Sequence, residues 1–410
     1  MEDNVPEIRL KGFTGDWIQR KLGDVTTKIG SGKTPQGGSA VYLQQGIPLL
    51  RSQNITNDAI DLSDVVYISD EIDRDMANSR VQENDVLLNI TGASIGRSAV
   101  YRHIGIANVN QHVCIIRPTQ DVNAEYLQLN LASFNGQQQI DYNQAGGGRE
   151  GLNFQQIAKI AFYFPTIEEQ TAIGEFFRAL DENTTLHKQK LDGLRKLKKG
   201  YLQQMFPQTG ETVPRVRLQG FTEPWEQRKL GEHAAFITKG TTPIDKSGNG
   251  EINFVKVENI VDGEIKSTSK ISTEEHNGYL KRSRLEEGDI LFSIAGTLGR
   301  TAVVDKLILP ANTNQALAII RDYDFDTNFL ITSFSTHAVS EFIKKNPTIG
   351  AQPNLSLEQI KDLIIYAPSR EEQIFIGNFF HNLNSQITAQ SQKVEQLKQL
   401  KTAYLQKMFV

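Results

Sequence analysis

The chain has 410 residues, 39% of them hydrophobic and 22% charged, with a formal net charge of −4. That length exceeds what one hydrophobic core supports, so two to four domains are expected, and no apolar run approaches a membrane span. The opening MEDNVPEIRL lacks the basic flank and apolar stretch of a signal peptide, and the lone Cys114 excludes an intrachain disulfide or a cysteine-built zinc site, so a cytoplasmic protein without membrane contact is expected.

Pro6–Gly23 reads PEIRLKGFTGDWIQRKLG and returns at Pro214–Gly231 as PRVRLQGFTEPWEQRKLG, identical at 12 of 18 positions with an offset of 208. Trp17 and Trp225 within it are expected to be packing residues. Strand-like runs follow at Val41–Leu43, Ile47–Leu50, Val86–Ile90 and Val113–Ile116, with turn chemistry at Gly30–Gly38, Asn54–Asn57 and Gly146–Gly148. The second copy repeats the runs at Ile252–Val257, Ile290–Ile294 and Leu317–Ile320. Cys114 lies in one of them, its counterpart in the other copy being Ala318, and reads as buried filler. Each copy therefore predicts a mixed, mostly β unit with a few short helices.

Leu152–Phe206 and Leu355–Phe409 match at 24 of 55 positions with an offset of 203. From Ile173, residues Phe177, Leu180, Thr184, His187, Leu191, Leu194, Lys198, Tyr201 and Met205 alternate steps of four and three. Ile376, Phe380, Leu383, Ile387, Gln390, Val394, Leu397, Lys401, Tyr404 and Met408 repeat the pattern, a heptad seam interrupted by polar residues. Pro165 and Pro368 stand upstream, Glu168-Glu169 and Glu371-Glu372 suit the positive end of a helix dipole, and Pro207 closes the first helix. Each helix should run about 40 residues, roughly 60 Å, longer than a globular unit needs, and the pair reads as a spacer. The expected class is α+β, two mixed units in a pseudo-two-fold arrangement separated by two long helices. The expected segments are 1–166, 167–208, 209–368 and 369–410.

Catalytic patterns are missing. Gly30-Ser31-Gly32-Lys33-Thr34 imitates a phosphate loop, but Thr27 stands where the leading glycine belongs, Pro35 opposes the following helix, and the second copy has no lysine there. There is no HExxH, nucleophile elbow, dinucleotide fingerprint or Asp-Pro-Pro-Tyr-type methyltransferase motif, and the seven histidines show no metal spacing.

Both copies instead keep polar sets suited to reading a surface. Gly32-x-Thr34-Pro35 pairs with Gly240-x-Thr242-Pro243, preceded by Lys239. Arg51-Ser52-Gln53-Asn54 pairs with Lys256-Val257-Glu258-Asn259. Gly96-Arg97 pairs with Gly299-Arg300, each after a strand opened by Asp85 or Asp289, and Asn108-x-Asn110-Gln111 pairs with Asn312-x-Asn314-Gln315. Arg and Lys suit guanine and phosphate, and Asn and Gln suit adenine. Asn and Gly in loops also serve turns, and Arg97 and Arg300 could each pair with a carboxylate of their own unit. The basic run Lys188–Lys199 reads first as a solvated helix face, with contact to DNA phosphate or a partner as the alternative. Positions that differ between copies, Lys33 and Thr241, Gln53 and Glu258, Arg149 and Gln352, are the candidates for base discrimination. A bivalent protein- or glycan-binding scaffold, or an enzyme with a site between the copies, would also explain the duplication.

The repeated RLxGFTxxWxQRKLG opening, DVLLNITGASIGR and DILFSIAGTLGR, ANVNQ and ANTNQ, and the closing helices resemble the specificity subunit of type I restriction–modification enzymes over essentially the whole chain. The resemblance implies two target-recognition domains, each reading one half of a split sequence in double-stranded DNA. It implies antiparallel helices that set the gap and dock two methyltransferase subunits. Those subunits would bring S-adenosylmethionine and methylate adenine, and translocating restriction subunits would bring ATP and Mg chemistry. This chain would bind no cofactor or metal and carry no catalysis.

Overall fold

The computed structural model describes residues 5–102, 105–144, 151–208, 210–346 and 353–410. The chain divides into two compact units, Met1–Leu186 with Val394–Val410, and His187–Lys393.

The first copy forms β1 (Ile18–Lys21), β2 (Thr26–Ser31), β3 (Ile47–Leu50), β4 (Val66–Ile68), α1 (Asp70–Asp75), β5 (Val86–Asn89), β6 (Ser98–Val100), β7 (Asn108–Val109) and β8 (Val113–Pro118). Then come α2 (Ala124–Ala132), α3 (Phe134–Gln144), α4 (Phe154–Lys159), β9 (Ala161–Phe164) and the long α5 (Ile167–Gln204). Four strands make an antiparallel sheet in the order β2-β8-β5-β6, and β4-β3-β7 make a smaller sheet in which β3 and β7 run parallel. The larger sheet is buried on both faces, which is why its strands read as continuous apolar runs. Alternate residues point to opposite faces. Val86, Leu88, Cys114 and Ile116 pack with Tyr126, Ile157 and Phe177 of the helices. Leu87, Val113 and Ile115 pack with Leu50 and Val109 of the smaller sheet. Val41–Leu43 is not a strand. The left-handed Gly37 and Gly38 turn the chain into a short 3-10 stretch, Gly38–Val41, and Leu43 makes only an isolated bridge to Tyr67.

The second copy repeats the plan with β10 (Glu226–Lys229), β11 (Ala234–Lys239), β12 (Ile252–Val255), β13 (Ile260–Val261), β14 (Glu264–Ile265), β15 (Ser269–Ile271), α6 (Thr273–Asn277), β16 (Ile290–Ser293), β17 (Thr301–Val303), β18 (Ala311–Thr313) and β19 (Leu317–Tyr323). It continues with α7 (Thr327–Ser333), α8 (His337–Lys345), α9 (Leu357–Lys361), β20 (Ile364–Ala367) and α10 (Arg370–Lys407). Its sheets run β11-β19-β16-β17 and β15-β12-β18, with β12 and β18 parallel.

α5 and α10 each have 38 residues, and their bounds differ by the repeat offset of 203. Every seam position named above is buried or half-buried. Within the first unit Phe176 meets Tyr404 (ring centroids 5.0 Å apart) and Asp181 meets Lys401, so the helix segments there run antiparallel. Within the second unit Tyr201 meets Phe379 and His187 meets Gln390, again antiparallel.

The shared EEQ…IG sequence seats each helix on its own copy. Glu169 is buried and takes two hydrogen bonds of 2.7 Å from Arg9; Glu372 takes the same from Arg217 at 2.9 and 2.8 Å. These carboxylates therefore serve an ion pair as well as the helix dipole. Gln170 and Gln373 accept from the backbone N–H of Asn123 and Asp326, at the starts of α2 and α7. A Cβ on Gly174 or Gly377 would lie 2.9 Å from Glu125 or 2.5 Å from Asp326, so only glycine admits this approach. The closing Met-Phe pairs act as plugs. Met408 and Phe409 enter the core of the first unit, against Tyr126 and Phe177, and Met205 and Phe206 enter that of the second, against Trp225 and Phe329. Trp17 and Trp225 are 2% exposed, core residues as expected.

Candidate nucleic-acid interface

Strand direction gathers the four paired motifs at one end of each large sheet. In the first unit β2 leaves the sheet at Ser31, opposite Cys114 near the start of β8; β5 leaves at Asn89, opposite Val113; and β6 enters at Ser98 beside Leu88. The parallel pair β3–β7 ends at Leu50 and Val109, which delivers Arg51 and Asn110 to the same place. The Asn110 N–H bonds Leu50 O at 3.0 Å, and the Asn89 amide donates to Ser52 O at 2.8 Å. Segments 31–35, 51–54, 91–97 and 110–112 thus share one edge. The second unit repeats this with Lys239 opposite Ala318, Ser293 opposite Leu317, Phe292 opposite Thr301, and Val255 beside Thr313.

The same cross-link ties the outer two segments in both units. The Thr34 hydroxyl donates to Gln111 Oε1, and the Thr242 hydroxyl donates to Gln315 Oε1. Beneath each link the backbones almost touch. A Cβ on Gly32 would fall 1.6 Å from Val109 O, and one on Gly240 would fall 2.1 Å from Thr313 O. These glycines are needed for that crossing. Thr34, Gln111, Lys33 and Arg97 are exposed in the first unit, and Lys239, Gln315, Glu258 and Arg300 in the second. Thr241 and Thr242 are half-buried beside them, and Thr241 N–H bonds Thr313 O at 3.0 Å.

Several expected contact residues are engaged by the fold itself. Asn54 is buried, its carbonyl accepting from Arg51 N–H at 2.9 Å and its amide donating to Asp61 O at 3.0 Å; Asn259 repeats this with Lys256 N–H and Ser267 O. Both asparagines hold turns, and neither can reach a base edge without opening one. Asn110 and Asn314 close their own loops by accepting from His112 N–H and Ala316 N–H. Arg51 donates to Asp64 O at 2.8 Å and lies over the Tyr42 ring, Ser52 offers its carbonyl to Asn89, and Lys256 sits 3.9 Å from Glu258. Among the described residues Arg300 bonds no carboxylate; its Nη1 donates to Val257 O and Ile260 O at 3.3 and 3.2 Å. Arg149 and Gln352 lie outside the described residues.

Other members of the edge carried no clear signal in the sequence. Thr91 Oγ1 and His112 Nδ1 lie 2.6 Å apart, and Gln111 Nε2 lies 3.0 Å from His112 Nε2. The second copy has Ala295 and Ala316 at these positions, so the two edges differ here too. At the opposite end of each large sheet a partly buried ion pair braces the strands. Arg117 grips Asp85 at 2.7 and 2.8 Å, and Arg321 grips Asp289 at 2.6 and 2.7 Å. The hydrogen bonds to these carboxylates raise both guanidinium pKa values. Arg117 and Arg321 recur at the offset of 204 shared by their strands, which was the available clue. Burial pushes the Cys114 thiol up to about 12, as befits a packing residue. Among the described residues no group of three or more His, Cys, Asp or Glu is placed to hold a metal ion, and no helix is long and apolar enough to cross a membrane.

Comparison with known proteins places this architecture. The type I restriction modification DNA specificity domain matches twice, over residues 14–196 and 222–399. A putative type I restriction enzyme MjaX specificity subunit of Methanocaldococcus jannaschii is 23% identical over 98% of this chain and 94% of its own length. The EcoBI specificity subunit of Escherichia coli is 31% identical across 32% of this chain and 28% of its own length. The crystal structure of a type I restriction–modification S subunit from M. genitalium shares the fold, with a TM-score of 0.66 over 99% of both chains at 14% identity. With both copies matched along most of their length, the chain belongs to the DNA specificity subunits of type I restriction–modification systems.

Proposed function

We propose that each unit reads one half of a bipartite, asymmetric target in double-stranded DNA with the sheet edge described above, and that α5 and α10 set the gap between the halves. The observation that carries this reading is the convergence, in both copies, of four paired polar segments on one sheet end whose side chains differ at Lys33 against Thr241, Gln53 against Glu258 and His112 against Ala316. Lys33, Arg97, Gln111 and His112 would act in one unit, and Lys239, Glu258, Arg300 and Gln315 in the other. Phosphate contacts position such an edge and base contacts give it sequence preference. Unequal edges call for unequal half-sites, unlike a homodimer on a palindrome.

In this reading the chain works without catalysis of its own, in the cytoplasm. It docks two methyltransferase subunits that use S-adenosylmethionine and restriction subunits that use ATP and Mg. Its family membership leaves the rival scaffold reading without support. Methylation-sensitive sequencing of a host carrying this chain with its methyltransferase tests the proposal. The expected result is one asymmetric split motif with a fixed gap; a contiguous or palindromic motif would refute it.

A further inference from the structure

The second unit contains a cleft of about 890 Å³, floored by one flank of α5 and one of α10 and walled by the β13–β14 hairpin, the start of β17 and α7. Arg195, Lys198, Lys199 and Arg300 line it, against the carboxylates Asp262 and Glu264. Glu264 is already paired with Lys266 at 2.9 Å. Lys198 is half-buried and makes no hydrogen bond or close ion pair among the described residues. Burial lowers its pKa, partly opposed by Asp262.

The first copy treats the corresponding ground differently. Lys401, the counterpart of Lys198 at the helix offset of 203, is held by Asp58 at 2.6 Å and Asp181 at 2.7 Å. At the same offset Glu125, Asp181 and Glu182 of the first copy become Asn328, Asn384 and Ser385, all three lining the cleft. Three carboxylates have been replaced by neutral side chains, and among the described residues Arg195, Lys198 and Lys199 form no ion pair while the Arg300 side chain donates only to the backbone carbonyls of Val257 and Ile260. Such a surface suits an anion. Arg300 lines the cleft and also belongs to the polar sheet end, so the two adjoin.

We infer that this cleft is a phosphate clamp, in which Arg195, Lys198, Lys199 and Arg300 grip the sugar–phosphate backbone of duplex DNA running on from the second half-site. In the first unit the corresponding lysine, Lys401, is instead neutralised from within by Asp58 and Asp181. The clamp rests on the reading that this chain binds duplex DNA. It adds that α5 is a DNA-binding element as well as a spacer, and on one side only.

The test uses the full chain assembled with its methyltransferase partners and a duplex bearing its methylated motif. Affinity is measured across a salt series for the wild type, for Arg195→Ala with Lys199→Ala, and for the mirror change Lys398→Ala with Thr402→Ala. Arg195 and Lys199 are exposed, so the fold is not at stake. Each lost phosphate contact lowers the slope of log K against log salt by about 0.9. The clamp predicts a fall of about 2 for the first variant, with discrimination among half-site variants unchanged, and no change for the mirror. An unchanged slope, or an equal fall in the mirror variant, would overturn it. A fall accompanied by loss of co-purifying methyltransferase would also overturn it, since the occupant would then be an acidic protein surface. Failure of the wild-type complex to bind DNA would instead strike the parent reading.

Discussion

Arg117 and Asp85 are joined by two parallel hydrogen bonds across neighbouring strands, and the Asp85 side chain is fully buried. Its Oδ2 also accepts from Gln82 N–H at 2.6 Å, so one carboxylate fixes both the strand and the turn that opens it. Removing one partner of a buried pair costs about 3 kcal/mol because the other charge is stranded. Asp85→Asn should therefore cut hydrogen-exchange protection of the β5 and β8 amides about a hundredfold. Amides of β16 and β19, in the other unit, should stay as they were.

Lys401 and Lys198 offer a contrast at equivalent positions. Burial lowers the Lys401 pKa, but Asp58 and Asp181 more than restore it, to above the ordinary lysine value. Burial raises the Asp181 carboxyl in turn. Both shifts fit two carboxylates sharing one cation. Lys401→Met should destabilise the first unit by about 1–2 kcal/mol, discounted because the carboxylates are partly exposed. Lys198→Met, which breaks no pair, should change denaturant stability by less than about 0.5 kcal/mol.

The Asp73 carboxyl gives a pH signature. Hydrogen bonds from Arg80 hold its pKa below the ordinary range, with burial opposing and Asn108 adding to the effect. An unfolded aspartate titrates near about 3.9. With the folded value lower, its contribution is present above that pH and is lost as pH falls through the folded value. Asp73→Asn should flatten the acid limb of the stability profile below about pH 4, and a limb as steep as wild type would contradict this assignment.

The ruler role of the helices is separable from reading. A heptad inserted in α5 beside His187 and another in α10 beside Gln390 keeps both seams in register and adds about 10.5 Å of helix. That is about three base-pair steps at 3.4 Å each. The methylated motif should keep both halves and widen its gap by about three base pairs; an unchanged gap would deny that the helices set it.

The long helices were legible because their period survives the polar interruptions at Thr184, His187 and Gln390. The strands were legible wherever burial on both faces made continuous apolar runs. Val41–Leu43 misled because the left-handed pair Gly37-Gly38 turns the chain before it can pair. The polar motifs announced a common site but not its division of labour. Spacing alone cannot tell that Asn54 and Asn259 point inward to cap turns while Gln111 and Gln315 stay outside. Nor does it show that Met408 and Phe409, at the far end of the chain, complete the core of the first unit; that contact lies more than 200 residues from its partners Tyr126 and Phe177.

If the two edges read independently, exchanging one leaves the half-site of the other alone. The most direct measurement is methylome sequencing after residues 30–160 are replaced by the corresponding segment of another specificity subunit with a known target. With independent edges, one half-site changes to that of the donor while the other half and the gap persist. A change in both halves would contradict it.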